Sequence, residues 1–281
     1  MGLRLCLIGF PIKHSMSPWI HGQLLRKASI EGDYYLNEIT SEDSFREKIE
    51  QMKQDEVNGF NVTVPYKQKI IPFLNKIDDY AKKVGAVNTV KNENGILTGY
   101  NTDGIGFVKG LQDAFPEAML NNDKKLLLIG AGGAARGIYY ALEEAGFGYI
   151  DIANRTIERA QNLIEFKKDA TVTNLLSLET VDKQLKDYDI VIQTTSVGMK
   201  PNEEDSIINV SSVKSGSIFC DIVYQPLKTK FLKQAEEKGA NILFGHSMLL
   251  YQAQEAFEIW TGTRVPISNL IDELQKELEG R

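Results

Sequence analysis

Residues 3–8 form an apolar run that predicts a buried strand, and Ser17-Pro18 predicts the start of a helix reaching about residue 28, with serine as N-cap and proline at the first helical position. A second strand is expected over 34–39 and an amphipathic helix over 41–53, with Phe45, Ile49 and Met52 on one face. After the Asn58-Gly59 turn, Phe60, Val62 and Val64 alternate with Asn61 and Thr63, a period-two pattern with one face on a core, and Pro65 stops it. Residues 86–90 and 96–100 flank Asn92-Glu93-Asn94-Gly95, a hairpin signature. Asp103 then precedes a helical run containing Ile105, Phe107, Val108 and Leu111.

The pattern changes after a linker expected near residues 116–123. Apolar runs at about 126–129, 149–153, 170–173, 189–193, 217–221 and 241–244 alternate mostly with helical stretches, which predicts a parallel, doubly wound sheet. Gly245-His246-Ser247-Met248 leads into a helix whose apolar seam is Leu249, Ala253, Ala256 and Trp260; Gly262 and Pro266 end it, and residues 267–278 predict a last amphipathic helix. The expected fold class is α/β, without internal repeats. An N-terminal domain with a mixed sheet (1–102, joined by C-terminal helices in 245–281) is paired with a Rossmann-type domain (103–244), and a hinge is expected near residues 102 and 240.

At 281 residues the chain suffices for two domains, each with its own core. The net charge of −6, without a basic stripe, argues against a nucleic-acid binder, so any phosphate recognition must be local. No apolar run approaches the roughly 18 residues that span a bilayer, and the N-terminus shows no signal-peptide pattern. Cys6 and Cys220 lie in apolar runs and read as buried, reduced thiols; a cytoplasmic protein away from membranes is expected. His14, His21 and His246 show no metal-ligand spacing, and no metal is expected.

The candidate chemistry centres on the stretch where Leu126-Leu127-Leu128-Ile129 breaks into Gly130-Ala131-Gly132-Gly133-Ala134-Ala135. Gly130 permits a tight turn, Gly132 lets backbone approach a pyrophosphate, and Ala135 fills the third small position, with the N–H groups of the following helix facing the phosphates. An NAD site carries an acidic residue about twenty positions on, at the end of the next strand. Here that strand ends in Asn154-Arg155-Thr156, with Arg159 one turn later, and a guanidinium there pairs with a 2′-phosphate, so NADP is the expected cofactor. Asp151 is a competing ribose ligand inside the strand, and Arg159 reads equally as a solvated helix position. Gln193-Thr194-Thr195-Ser196-Val197-Gly198-Met199 reads either as a self-capping turn or as cofactor contacts.

In the first half, Ser15 and Ser17 place two hydroxyls beside a helix N-terminus, which suits a carboxylate; Ser17 has a capping role open to it and Ser15 has none. Lys67 lies just past a strand end, as a surface lysine or as an amine over a cleft. Asp103 is either a first-turn acid or the carboxylate partner of Lys67, and Gln252 either a bonded core amide or a substrate contact. Asn61, Thr63, Lys67, Asn88 and Asp103 are expected at one rim of a sheet, where open α/β folds bind ligands.

Together these runs resemble the shikimate dehydrogenase family over essentially the whole chain. The resemblance is carried by Gly9 to Pro18, Asn61-Val62-Thr63-Val64-Pro65-Tyr66-Lys67, Gly85 to Thr89, Asn101-Thr102-Asp103-Gly104, Gly130 to Ala135, Asn154-Arg155-Thr156, Thr195 to Met199 and Asp221-Ile222-Val223-Tyr224-Gln225-Pro226. It implies reduction of 3-dehydroshikimate to shikimate with NADPH in aromatic amino acid biosynthesis. Ser15 and Ser17 would hold the substrate carboxylate and Thr63, Asn88, Asp103 and Gln252 the ring hydroxyls; Lys67 and Asp103 would be the catalytic pair and Tyr224 would stand near the substrate. Gly130, Gly132, Gly133, Ala134, Ala135, Asn154, Arg155, Thr156, Arg159, Thr195, Ser196 and Val223 would line the cofactor, with Gly245 and Met248 near the nicotinamide. The chain departs from the family pattern at Gly22, where asparagine is frequent, and at His246-Ser247, where Leu-Gly is common. A monomer or homodimer is expected. The alternatives are an NAD-dependent dehydrogenase of quinate, a methylene-folate dehydrogenase, and a catalytically silent NADP-binding regulator.

Overall fold

The computed structural model describes residues 2–40, 43–165 and 167–280. The chain forms two compact units, Met1–Thr102 with Gln252–Ile267, and Asp103–Tyr251 with Ser268–Arg281.

The first unit contains, in chain order, β1 (Leu3–Gly9), α1 (Ser17–Ala28), β2 (Gly32–Glu38), α2 (Phe45–Gln54), β3 (Gly59–Val62), β4 (Lys76–Ile77), α3 (Asp79–Val84), β5 (Thr89–Glu93) and β6 (Ile96–Tyr100). Its sheet has the order β2-β1-β3-β5-β6-β4. The β1–β2, β1–β3 and β4–β6 pairs are parallel, and the β3–β5 and β5–β6 pairs antiparallel, so the sheet is mixed. Side chains alternate along β1: Cys6 and Ile8 join a core with Ile49, Met52, Phe60 and Val62, while Leu5 and Leu7 join the opposite one with Tyr34, Ala256 and Trp260. Asn94 and Gly95, at φ 55 and 85, supply the left-handed pair that closes the β5–β6 hairpin.

Three local expectations change here. Ser17 is the first residue of α1 and not its cap; Met16 holds the cap position without a side-chain bond. Because Pro18 brings no N–H to the first turn, fewer donors need a partner there, and Ser15 Oγ accepts the Ser17 N–H at 3.2 Å. The helix expected from residue 41 begins at Phe45 behind Ser44, whose side chain accepts the Glu47 N–H; residue 41 lies outside the described residues. The alternating strand stops at Val62, since the Tyr66 N–H bonds Thr63 O at 2.8 Å and closes a turn that leaves Val64 67% exposed.

The second unit contains α4 (Asp103–Ala114), β7 (Lys125–Ile129), α5 (Gly133–Glu144), β8 (Tyr149–Ala153), α6 (Ile157–Leu163), β9 (Leu175–Leu176), α7 (Leu178–Val181), β10 (Ile190–Gln193), β11 (Ile218–Asp221), α8 (Lys230–Glu237), β12 (Asn241–Leu243), α9 (Gly245–Thr261, shared with the first unit) and α10 (Ser268–Glu279). Its sheet runs β12-β11-β10-β7-β8-β9, and every pairing is parallel. That is the Rossmann order, with its reversal between β7 and β10. Leu126 to Ile129 have no exposure, as helices on both faces of a parallel sheet require, and each buried side chain contributes about 1.5–3 kcal/mol.

The third strand of this sheet is Leu175–Leu176; in the expected 170–173 stretch only Val172 bridges to Tyr149, at the amino end of β8. Along α9 the fully buried leucine is Leu250, not Leu249, because the helix is covered on more of its circumference than a single stripe.

Candidate functional site

In the first unit the candidate polar residues stand at the carboxyl ends of β1 and β3 and beside β5. Two turns are locked together there. Phe10 N–H bonds Val64 O at 2.9 Å and Thr63 N–H bonds Ile8 O at 2.9 Å. Gly9 must lack a side chain, since its Cβ would lie 2.3 Å from Thr63 Cγ2. Glu38 Oε2 accepts the Ile12 N–H at 3.1 Å and so fixes the segment that carries the serines. Ser15 Oγ–H donates to Ser17 Oγ at 3.1 Å. Lys67 is half-buried directly after the second turn, and its carbonyl accepts the Val87 N–H at 2.8 Å.

Asn88 is the hub of this rim. Its Oδ1 accepts the Thr102 N–H at 2.9 Å, its Nδ2 donates to Thr102 Oγ1 at 2.9 Å, and Gln252 Oε1 lies 3.5 Å from the same Nδ2. Asn61 is instead consumed inside the fold: it accepts from Tyr34 Oη at 2.7 Å and donates to Asn88 O and Thr89 Oγ1. Both amides are buried, and their bonds join the end of β3 to the start of β5 and to Thr102.

Asp103 belongs to the second unit, where it is the first residue of α4 and 5% exposed. Gly130, at φ 118, makes the turn after β7, and a Cβ there would meet Thr194 Oγ1 at 2.5 Å. Gly132 caps α5 without a side-chain bond, and a Cβ on it would meet nothing within 4 Å. Open backbone donors at a helix start suit a pyrophosphate. Past β8, Arg155 and Arg159 are exposed and pair with no carboxylate among the described residues, while Asn154 Nδ2 secures the turn by donating to Thr156 O at 2.7 Å. Asp151 is excluded as a ribose ligand. It is 3% exposed and already bonded by Asn174 and Tyr188, with Lys125 Nζ at 3.3 Å.

Thr195 Oγ1 accepts the Val197 N–H at 3.2 Å, a self-capping bond of that loop, and Ser196 is exposed. Gly245 starts α9 against the loop after β11, where a Cβ would lie 2.5 Å from both Ile222 O and Val223 O. His246 is buried beside it with both ring nitrogens unpartnered, and Ser247 Oγ donates to Phe244 O at 3.1 Å. Gln193 and Asp221 form a buried amide–carboxylate pair whose signal in the sequence is a polar residue ending each of two apolar strands. Among the described residues no group of three or more His, Cys, Asp or Glu could hold a metal ion, and no helix is long and apolar enough to cross a membrane.

These features fit a phosphorylated dinucleotide: a glycine turn at a helix start, and past the adjoining strand two guanidiniums that pair with no carboxylate among the described residues.

Residues 7–90 match the shikimate dehydrogenase substrate binding domain, 114–224 the shikimate / quinate 5-dehydrogenase family, and 245–275 the shikimate 5′-dehydrogenase C-terminal domain. A shikimate dehydrogenase (NADP(+)) of Oceanobacillus iheyensis is 49% identical over 281 residues, all of both chains. A shikimate 5-dehydrogenase from Thermus thermophilus in complex with NADP(H) and shikimate is 30% identical with a TM-score of 0.85, covering 98% of this chain and 99% of that one. A quinate dehydrogenase from Corynebacterium glutamicum in complex with NAD is 28% identical with a TM-score of 0.89, covering 98% and 99%.

Proposed function

The chain belongs to the shikimate dehydrogenase family, and on that premise we propose that Lys67 and Asp103 carry the proton transfer of its reaction. That reaction is the reduction of 3-dehydroshikimate to shikimate with NADPH, in aromatic amino acid biosynthesis. Residues 1–102 take the substrate and 103–244 the cofactor. Ser15 and Ser17 hold the substrate carboxylate, and Thr63, Asn88 and Gln252 hold its ring hydroxyls, on a rim whose backbone is fixed by the bonds around Gly9 and Asn88. NADPH supplies the hydride. As the ketone carbon becomes tetrahedral, charge develops on its oxygen; Lys67 gives that oxygen a proton and Asp103 orients the ammonium. A donor so placed is worth on the order of 10²–10⁴-fold. In the oxidation direction Lys67 takes the proton back.

Gly130, Gly132, Gly133, Ala134 and Ala135 receive the pyrophosphate, and Asn154, Arg155, Thr156 and Arg159 the 2′-phosphate. Thr195, Ser196, Val223, Gly245 and Met248 stand along the nicotinamide half, with Tyr224 at the substrate. The reading includes a cytoplasmic monomer or homodimer, in keeping with two buried free thiols, Cys6 and Cys220.

The observation that carries the proposal is that the Ser15–Ser17 pair, the anchored Lys67 and the open glycine turn occur in one chain. The NAD and quinate alternative is disfavoured by Arg155 and Arg159, which pair with no carboxylate among the described residues and suit a phosphate. A turnover assay with shikimate and quinate against NADP and NAD tests it: shikimate with NADP should be the preferred pair by at least about tenfold in kcat/KM, equivalent to about 1.4 kcal/mol. Preference for quinate with NAD would contradict the reading, and absence of turnover with any pair would favour the silent regulator.

A further inference from the structure

Gln193 and Asp221 are the last residues of the adjacent strands β10 and β11, in register with each other and 0% and 2% exposed. Gln193 Nε2 donates to Asp221 Oδ1 at 3.1 Å and to Val197 O at 3.2 Å, and its Oε1 accepts the Thr195 N–H. Asp221 Oδ1 also accepts the Val223 N–H at 2.8 Å, and its Oδ2 accepts Thr229 Oγ1–H at 2.7 Å. Thr229 in turn caps α8 by accepting the Leu232 N–H. The two loops touch again where Lys200 N–H bonds Gln225 O at 3.0 Å, and the Val223 carbonyl packs on Gly245.

The segments carrying Thr195, Ser196, Val223 and Tyr224 are therefore tied to one buried carboxylate, and Gly245 packs against the second of them. A buried carboxylate is costly unless its lone pairs are filled, and here three donors fill them, Gln193 from a strand end, Val223 from a loop and Thr229 from a helix cap, while the Thr195 N–H bonds Gln193 Oε1 in turn. Neither residue faces outward from this knot, so neither is available to touch a ligand.

We propose that Asp221, with Gln193, is a positioning residue that sets the backbone of both loops that receive the nicotinamide half of the cofactor and Tyr224, while leaving the adenosine half to the glycine turn and Arg155. This rests on the cofactor reading above.

The test compares two ligands. In Asp221→Ala the KM for NADP should rise and kcat fall, each about tenfold, while the Kd for 2′,5′-ADP, which lacks the nicotinamide half, stays within about twofold of the wild type. Asp221→Asn should recover to within about threefold, because its oxygen still accepts from Gln193 and Val223 and the Thr229 hydroxyl can turn to accept from the amide. If Asp221→Ala does not fold, Thr229→Val, which removes one bond to the carboxylate, should move NADP and 2′,5′-ADP apart in the same direction by about threefold. Equal weakening of both ligands, or no change in NADP kinetics, would overturn the proposal. Failure of the wild type to bind 2′,5′-ADP would instead overturn the cofactor reading on which it stands.

Discussion

Ser15 and Ser17 are bonded to each other twice: the Ser17 N–H donates to Ser15 Oγ at 3.2 Å, and the Ser15 hydroxyl donates to Ser17 Oγ at 3.1 Å. The pair is a preformed unit of two hydroxyls at the start of α1. A hydrogen bond to a charged group is worth about 1.5–3 kcal/mol. Ser15→Ala and Ser17→Ala should each raise the KM for shikimate by about 10–100-fold, with the KM for NADP unchanged. Steady-state kinetics with each substrate varied in turn checks this, and a rise confined to NADP would remove the carboxylate assignment.

Arg155 precedes α6 and Arg159 lies in its first turn, and neither pairs with a carboxylate among the described residues. Arg155→Ala should weaken NADP by about 10–100-fold, the value of a charge-assisted pair, and leave NAD nearly untouched. Equal losses for the two cofactors would show that the guanidinium is not a phosphate ligand.

His246 is 4% exposed with neither ring nitrogen bonded, and burial lowers its pKa against the raising influence of Asp272 and Glu279. The folded state thus holds a neutral imidazole that the unfolded chain protonates below about pH 6.5. Stability from this group is present above that pH and is lost as pH falls. His246→Leu should raise the unfolding free energy by about 1–3 kcal/mol, with a gap over the wild type that widens from pH 7 to about pH 5. Urea unfolding at both pH values measures it; a constant gap would mean that the imidazole does not titrate as its burial demands.

The sign is opposite for Asp221. Burial pushes its carboxyl up to about 6 from 3.8, despite the bonds from Thr229, Val223 and Gln193. The folded protein binds the proton more tightly, so this group costs stability as pH rises through the range from about 4 to about 6, by about 3 kcal/mol in all. Asp221→Asn should therefore be the more stable protein at pH 7 and equal to the wild type near pH 4, a difference readable in thermal unfolding at the two pH values. A lower Tm at pH 7 would contradict the burial cost.

Gly59 lies under Trp260, whose Nε1 donates to Val90 O at 2.9 Å; a Cβ at Gly59 would stand 2.4 Å from that nitrogen. A bonded indole cannot yield as a flexible side chain would. Gly59→Ala should cost about 1–3 kcal/mol through overpacking, seen as a lower urea midpoint at unchanged m.

The parallel sheet was legible because its strands are buried on both faces: Leu126 to Ile129 read as an uninterrupted apolar run whichever element precedes it. The glycine turn was legible because its residues act through what they lack. Short or locally overridden features were not. Leu175–Leu176 is a two-residue strand next to Ala170-Thr171-Val172-Thr173, whose β-branched residues read as the strand, and the Ser15–Ser17 arrangement reversed the expected cap because proline had already removed a donor. The Gln193–Asp221 tie depends on two strands 28 residues apart ending in register, which pairing alone decides.

The account turns on the Lys67 amine, half-buried behind the turn that joins Thr63 to Tyr66. The most direct measurement is kcat for shikimate oxidation by Lys67→Met, together with the Kd for NADP. A fall in kcat of about 10²–10⁴-fold with NADP binding unchanged is the predicted result. An unchanged kcat would contradict the assignment of the proton transfer to this residue.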